Sequence, residues 1–282
     1  MPSRIVDLGS SENLVVVSDV HMRTPDDAQT GNFLSFLESI GSSLKCDTLV
    51  LLGDIFDFVN ARQSFYFQHW KKVFFQLKAL KARGIKVVFV EGNHDFGFEH
   101  SPRDEISECF DHCGDILLKI KHPRAGDILL LHSDDVVCPP SYRIFRSLVK
   151  SAVFQSLFTP VPGRLTDAIF SRYAKISRSR DNYRVLDPRF LTQCASEFVC
   201  NLDGTLGLKP QICVFGHIHV HLDDVLEDIR FLSGPAWLTQ PSFLILTDTG
   251  AIERKWLGTS QTQGELFKFS NSSRNSFPKP QQ

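Results

Sequence analysis

The chain has 282 residues, 42% of them apolar, and its 31 basic residues nearly balance 32 acidic ones. This composition supports a packed core and excludes a largely disordered chain. A formal net charge of -1 creates no overall attraction to nucleic acid or to a membrane, so any such attraction must be local. The seven cysteines form no C-x-x-C pair and no signal peptide is recognisable, which predicts free thiols in a cytoplasmic protein.

Five short apolar runs predict strands that are buried on both faces. They cover residues 14–17, 49–52, 87–90, 128–131 and 212–215. Between the early runs, amphipathic patterns over residues 33–44 and 70–80 predict two helices, the second stopped by Gly84. Because strands and helices alternate, the predicted fold class is α/β.

The pattern changes after residue 215. Residues 230–232, 243–247 and 251–256 resemble short strands, the last two joined by a turn, and predict an antiparallel addition to the sheet. From residue 258 the chain is polar and rich in serine, with little apolar material to order it. The predicted organisation is therefore one domain over residues 1–257 and a loosely ordered tail over 258–282.

Side chains that bind metals follow each of the five apolar runs directly. In chain order they are Asp19 and His21, Asp54 and Asp57, Asn93 with His94 and Asp95, His132, and His217 with His219. Reactive groups in open α/β sheets collect beyond the carboxyl ends of the strands, and alternate residues of a strand point the same way. Oxygen and nitrogen donors of this kind suit Mn, Fe or Zn, so the pattern predicts a metal site.

Each motif alone has an ordinary explanation. An isolated Asp-x-His or His-x-His is most often surface or core polarity, a Gly-Asp after a strand is usually a turn, and an Asn-His pair can cap a helix. All five motifs occur in order, however, and each stands directly after an apolar run. That joint pattern favours the metal site.

The ordered motifs D-x-H, G-D-x-x-D, G-N-H-D, H and G-H-x-H resemble those of the calcineurin-like metallophosphoesterases, over roughly residues 14–257. The resemblance implies a sandwich of two mixed β-sheets flanked by helices, and two divalent metal ions, with Mn first and Fe or Zn as alternatives. It implies one metal held by Asp19, His21, Asp54 and His219, and a second by Asp54, Asn93, His132 and His217. It also implies that His94 gives a proton to the leaving oxygen, with Asp95 orienting the His94 ring and Asp57 supporting the ligands.

The long interval between His132 and His217, which are 85 positions apart, predicts an inserted helical lid over residues 139–200. Residues 141–180 contain eight basic residues and one acidic residue, interleaved with apolar ones. This mixture suits an amphiphilic substrate with an anionic head and an acyl chain, or an anionic membrane surface. A helical hairpin with a solvated basic face explains the composition equally well.

Four stretches are most similar to the UDP-2,3-diacylglucosamine diphosphatases of lipid A synthesis: residues 18–21, 53–58, 92–96 and the run from His132 to Arg180. This resemblance implies cleavage of a lipid-linked sugar nucleotide to UMP and the acylated sugar phosphate, on the cytoplasmic face of the inner membrane. It implies Tyr142 and Arg180 as substrate contacts. The chain departs from many members by having Ser133 in place of glycine and His94 in place of arginine.

Three other functions compete with this hypothesis. A broad phosphodiesterase or nucleotidase has the same metal motifs, and a Ser/Thr protein phosphatase is disfavoured because the insertion is apolar rather than an open polar groove. A binding scaffold that has lost catalysis is disfavoured because all seven predicted ligands and His94 are present. The sequence leaves the native metal and the oligomeric state open.

Overall fold

The computed structural model describes residues 4–99, 101, 103–136, 140–169, 172, 187–237 and 240–257. Arg180 and the predicted tail over residues 258–282 lie outside the described residues, as does part of the predicted lid.

The strands, in chain order, are β1 Arg4–Ser10, β2 Leu14–Val17, β3 Thr48–Leu52, β4 Val59–Asn60, β5 Lys86–Val90, β6 Asp95–Phe96, β7 His112–Gly114, β8 Ile116–His122, β9 Gly126–Leu131, β10 Ile212–Phe215, β11 Asp223–Leu226, β12 Ile229–Ser233, β13 Ser242–Leu246 and β14 Ile252–Trp256. The helices are α1 Ala28–Ser39, α2 Ser64–His69, α3 Lys71–Ala82, α4 Asp104–Cys109, α5 Pro140–Val149, α6 Ala152–Phe158, α7 over residues 163–169 and α8 Pro188–Leu206.

Two six-stranded mixed sheets form the centre of the fold. The first has the order β14-β13-β2-β3-β5-β7, in which β2, β3, β5 and β7 are parallel and β13 and β14 are antiparallel additions. The second has the order β1-β8-β9-β10-β12-β11, with β9, β10 and β12 parallel to one another. Strands β4 and β6 form a small separate pair beside the site.

Alternate residues of the central strands pack into two different apolar cores. Val16 and Val50 point between the sheets, where they join Leu130 and Val214 of the second sheet. The intervening residues of β2 and β3 pack with the apolar faces of α1 and α3. Helix α8 covers the outer face of the second sheet. Both faces of these strands are therefore buried, which explains why their sequences are continuously apolar.

The five predicted strands are confirmed, and each begins at most two residues before its predicted start. Both predicted helices are present, but the first begins and ends five residues earlier than predicted. Helix α1 ends at Ser39 because Ile40 adopts an extended backbone, with a ψ of 124°. Ile40 and Leu44 are instead joined by an isolated β-bridge, and both side chains remain buried.

The antiparallel prediction holds for β13 and β14 and only in part for residues 230–232. These residues belong to β12, which runs parallel to β10 with Cys213 opposite Phe231, and only β11 on its other side is antiparallel. The 13 residues between β10 and β12 include β11, and this detour returns the chain in the parallel direction. Within the described residues, no helix is both long and apolar enough to cross a membrane.

Candidate metal centre

The backbone turns sharply where β2, β3 and β10 end. Asp19, His21, Asp54 and His217 all lie in the left-handed region, with φ between 51° and 62°. The explanation of the Asp-x-His spacing as two alternate residues of an extended strand is therefore wrong. Such backbone costs about 1–3 kcal/mol at a non-glycine residue and is concentrated at functional sites.

Glycines allow the turns to approach one another closely. A Cβ atom on Gly92 would lie 2.1 Å from Asp54 Oδ1 and 2.5 Å from the Asp54 nitrogen. A Cβ atom on Gly53 would lie 2.3 Å from His132 Nδ1. Neither contact is sterically allowed, so only glycine fits at these two positions.

Asp19, His21 and His219 bring their ligand atoms within 4.8 Å of one another. Asp19 Oδ1 lies 3.1 Å from His219 Nε2, although 200 residues separate the two in sequence. The Ser18 hydroxyl donates to Asp19 Oδ2 at 2.6 Å, and the His217 amide donates to the same carboxylate. The Asp19 carboxylate is thus held in a fixed orientation by its neighbours.

Asp54, His132 and His217 form a second group with the same close spacing. His132 Nε2 lies 3.4 Å from Asp54 Oδ2 and 3.3 Å from Asn93 Oδ1. His132 Nδ1 lies 3.0 Å from the Leu52 carbonyl oxygen. Since a carbonyl only accepts, Nδ1 carries the hydrogen, and in the neutral ring the Nε2 lone pair faces Asp54 and Asn93.

Asp54 lies between the two groups, because its Oδ2 atom is also 3.9 Å from His21 Nε2. Burial alone would raise the pKa of Asp54, but the charges of His132 and His94 outweigh it and hold that pKa well below its usual range. Burial lowers the pKa of His132, but the Asp54 charge raises it to about 10. A proton thus balances the buried charge here, and a divalent cation is able to replace it.

The orphaned nitrogens of two imidazoles also fit metal ions. Burial lowers the pKa of His21 to about 4, so its ring is neutral at neutral pH. Both His21 nitrogens and His217 Nδ1 are buried without a hydrogen-bond partner among the described residues. Buried polar atoms are rarely left unpaired, and neutral imidazole nitrogens are common metal ligands. The two groups therefore suit a pair of divalent cations.

His94 lies beside these groups and is positioned by the backbone. Its Nδ1 atom donates to the Asp57 carbonyl oxygen at 2.8 Å, its amide donates to Asp54 Oδ1 at 2.9 Å, and its ring centroid is 5.0 Å from that of His21. The Asp57 carboxylate lies 3.9 Å from His21 Nδ1, near the ligand it was predicted to support.

Asp95 does not orient the His94 ring, which corrects the prediction. Its carboxylate accepts the backbone amides of Asp54, Ile55, Phe56 and Gly92, at distances between 2.6 and 3.2 Å. The side chain is fully buried among these turns, and the partner of His94 Nδ1 is the Asp57 carbonyl oxygen instead. Asp95 thereby joins the turn after β3 to the turn after β5, a role for which the sequence contained no signal.

A sequence profile of the calcineurin-like phosphoesterases matches residues 13–221 of this chain. The chain belongs to this family. The family confirms the predicted fold class, the sandwich with a helical insertion, and the predicted enzyme class, a metal-dependent phosphoesterase.

Relatives of this phosphoesterase include proteins named UDP-2,3-diacylglucosamine hydrolase. The one from Blochmanniella pennsylvanica is 30% identical over 167 residues, or 56% of this chain and 62% of that protein. The match therefore spans less than two thirds of that relative. The one from Escherichia coli K12 is 24% identical over 263 residues, or 89% of this chain and 92% of that protein. A solved archaeal phosphodiesterase is 12% identical, with a TM-score of 0.45 over 87% of this chain and 99% of its own.

The insertion of the phosphoesterase is tied to the domain by its own basic residues. Arg146 and Lys150 face inward and pair with Asp115 and, for Arg146, also with Asp134. The interpretation of the basic excess as free for an anionic substrate is therefore wrong for these two residues. The Tyr142 hydroxyl lies 3.4 Å from Asp134 Oδ2, at the base of the insertion.

Proposed function

We propose that this phosphoesterase is a two-metal hydrolase that cleaves UDP-2,3-diacylglucosamine to UMP and 2,3-diacylglucosamine 1-phosphate. The observation that carries the proposal is the convergence of Asp19, His21 and His219 with Asp54, His132 and His217. Mn is the proposed metal, with Fe or Zn as alternatives. When bound, a pair of such cations supplies Lewis-acid stabilisation of phosphoryl oxygens and activation of water.

The protein's own groups then have distinct tasks. Asp54 lies within 4 Å of histidines from both groups, so its carboxylate is positioned to serve both metals. His94 has its Nδ1 hydrogen bonded to the Asp57 carbonyl oxygen, so a ring that carries a second hydrogen on Nε2 would deliver that proton to the leaving oxygen and keep the Nδ1 hydrogen. The Leu52 and Asp57 carbonyls fix the rings of His132 and His94, so neither ring must reorient during the reaction.

The exposed apolar and basic side chains of the insertion favour a lipid substrate. Six large apolar side chains on α5, α6 and α7 are more than half exposed: Ile144, Leu148, Val153, Leu157, Leu165 and Ile169. Exposed basic side chains stand among them, including Arg143 and Arg164. Apolar groups with nearby cations suit acyl chains below an anionic headgroup, and a peripheral position on the cytoplasmic face of the inner membrane. Tyr142 and Arg180 remain the proposed substrate contacts, within an insertion over residues 139–200 of a domain over residues 1–257.

The test is release of UMP from UDP-2,3-diacylglucosamine by the purified protein with Mn²⁺. Asp54→Asn is expected to lose nearly all activity because it removes the shared carboxylate. Asp26→Asn is the matched control, since the Asp26 side chain is 85% exposed. If the wild type hydrolyses an aryl phosphodiester but releases no UMP, the lipid substrate is rejected and a broad phosphodiesterase replaces it. Wild-type turnover by Asp54→Asn would reject the two-metal site.

A further inference from the structure

A buried cluster of opposite charges joins the C-terminal half of α5 to the loop after β9 and to the residue between β7 and β8. The Arg146 guanidinium donates from Nε to Asp134 Oδ2 at 2.8 Å, and from Nη1 and Nη2 to the two oxygens of Asp115 at 2.9 and 2.6 Å. The Arg146 side chain is only 8% exposed and that of Asp134 is fully buried. Such a bidentate contact fixes both position and angle.

Lys150, directly after the last residue of α5, completes the cluster. Its Nζ atom lies 3.2 Å from Asp115 Oδ1 and 3.3 Å from the Glu91 carbonyl oxygen, and its side chain is 8% exposed. The cluster therefore pairs two cations with two carboxylates. Removing one member of such a buried set leaves an uncompensated charge, whose cost exceeds that of a surface ion pair.

The partners of α5 stand next to one half of the metal centre along the chain. Asp134 is two residues after His132, and Glu91 is two residues before Asn93. The Glu91 amide also donates to the carbonyl oxygen of Gly114, the residue before Asp115. The cluster thus holds the two loops that bring His132 Nε2 and Asn93 Oδ1 to 3.3 Å.

The other half of the centre has a different support. Asp19 and His21 follow β2, and His219 follows β10. The Asp19 carboxylate is held by Ser18 and by the His217 amide rather than by an ion pair with α5. Among the described residues, the contacts of α5 and Lys150 therefore reach the loops of Asn93 and His132, whereas the Asp19 carboxylate is contacted by Ser18, His217 and His219.

We propose that Arg146 and Lys150 are positioning residues for the metal held by Asn93 and His132, so that α5 is a fixed part of the centre. The inference rests on the two-metal site of the proposed function and adds an asymmetry to it. Loss of Arg146 weakens one of the two metal sites. Mutation of a residue that holds a metal ligand in place typically weakens metal affinity about 10- to 100-fold. We expect a loss of this size for Arg146.

Calorimetric titration of Mn²⁺ into the metal-free, full-length protein tests this. Arg146→Met is expected to weaken one site about 10- to 100-fold and to leave the other within about twofold. Arg146→Lys should bind Mn²⁺ more tightly than Arg146→Met, because lysine restores the positive charge but not the bidentate contact with Asp115. Arg143→Met is the matched control, since Arg143 is exposed on the same helix, and it should bind two Mn²⁺ like the wild type.

Double variants identify the affected site. If Arg146 acts on the Asn93 half, Arg146→Met adds no further loss to Asn93→Ala, whereas combined with His21→Ala it weakens both sites. Unchanged Mn²⁺ binding, tighter Mn²⁺ binding caused by the lost positive charge, or equal weakening of both sites would each overturn the proposal. If Arg146→Met does not fold, Lys150→Met is the alternative variant, because it retains the bidentate contact between Arg146 and Asp115. Lys150→Met must then weaken the metal site of Asn93 and His132. Wild-type protein that binds two Mn²⁺ without releasing UMP would reject the substrate and leave this inference standing.

Discussion

Ser133 occupies a position where the family resemblance leads one to expect glycine. Its φ of 69° lies in the left-handed region, which favours glycine. The Ser133 hydroxyl donates to the Gly216 carbonyl oxygen at 2.7 Å, in the loop that contains His217. The hydrogen bond offsets the backbone strain and links the turn after β9 to the turn after β10. This departure in sequence is therefore compatible with an intact site.

Gly92 makes a prediction at the scale of one residue. Gly92→Ala is expected to displace Asp54, because the added methyl would overlap Asp54 Oδ1 and the Asp54 nitrogen. Hydrolysis of an aryl phosphodiester and Mn²⁺ affinity should both fall at least about tenfold, as for other groups that hold metal ligands in place. Kinetics and calorimetry measure the two effects.

Gly31→Ala is the matched control for Gly92→Ala. Gly31 is in α1, and a Cβ atom there would meet nothing within 4 Å. Replacing a helical glycine by alanine should stabilise the protein by about 0.5–1 kcal/mol and leave activity unchanged. Normal activity in Gly92→Ala would show that the close approach is not needed.

The start of α1 makes a prediction at the scale of an element. Asp27 is the N-cap, and its carboxylate accepts the amide of Thr30 at 2.7 Å and that of Thr24 at 3.1 Å. Asp27→Ala should lower the free energy of unfolding by about 1 kcal/mol, whereas Asp27→Ser should retain most of it. Urea denaturation at neutral pH measures both.

The contribution of Asp27 should also depend on pH in a defined direction. Burial alone would raise its pKa, but the amide hydrogen bonds from Thr30 and Thr24 outweigh this and hold the pKa below its usual value. A lowered folded-state pKa stabilises the protein above the unfolded value of about 3.9, and the stabilisation is lost as the pH falls through the folded pKa. The difference between wild type and Asp27→Ala should therefore shrink below about pH 4; a constant difference would contradict the cap.

The insertion makes a prediction at the scale of the whole molecule. Ile144 and Val153 are 74% and 75% exposed, and large apolar side chains at such exposure mark interaction surfaces when they cluster. The double variant Ile144→Ser/Val153→Ser should raise the KM for UDP-2,3-diacylglucosamine and weaken binding to anionic lipid vesicles several-fold. Turnover of a soluble aryl phosphodiester should not change.

Phe75→Ser is the matched control for this surface. Phe75 is 71% exposed on α3, outside the insertion, so its replacement should affect neither the lipid substrate nor vesicle binding. Kinetics on both substrates and vesicle co-sedimentation distinguish the variants. Equal effects on the soluble and lipid substrates would show that the insertion supports the fold alone.

Local patterns in the sequence were sufficient to predict the five central strands and the residues that follow them. Those strands are buried on both faces, so their runs are continuously apolar, and the donor chemistry of Asp, Asn and His does not depend on distant neighbours. The edge strands β1 and β11 are largely exposed and have mixed patterns, and they were not predicted for that reason.

Tertiary structure decided which of these residues meet and which way their side chains face. Asp19 and His219 are 200 residues apart, and Arg146 and Asp115 are 31 apart, so neither contact is encoded in a local pattern. The same is true of Asp95, whose carboxylate binds the turns of two strands rather than its neighbour His94. The sequence alone determined the five central strands and the type of chemistry. Only the packing of distant segments determined the geometry, because burial and charge pairing depend on what surrounds each side chain.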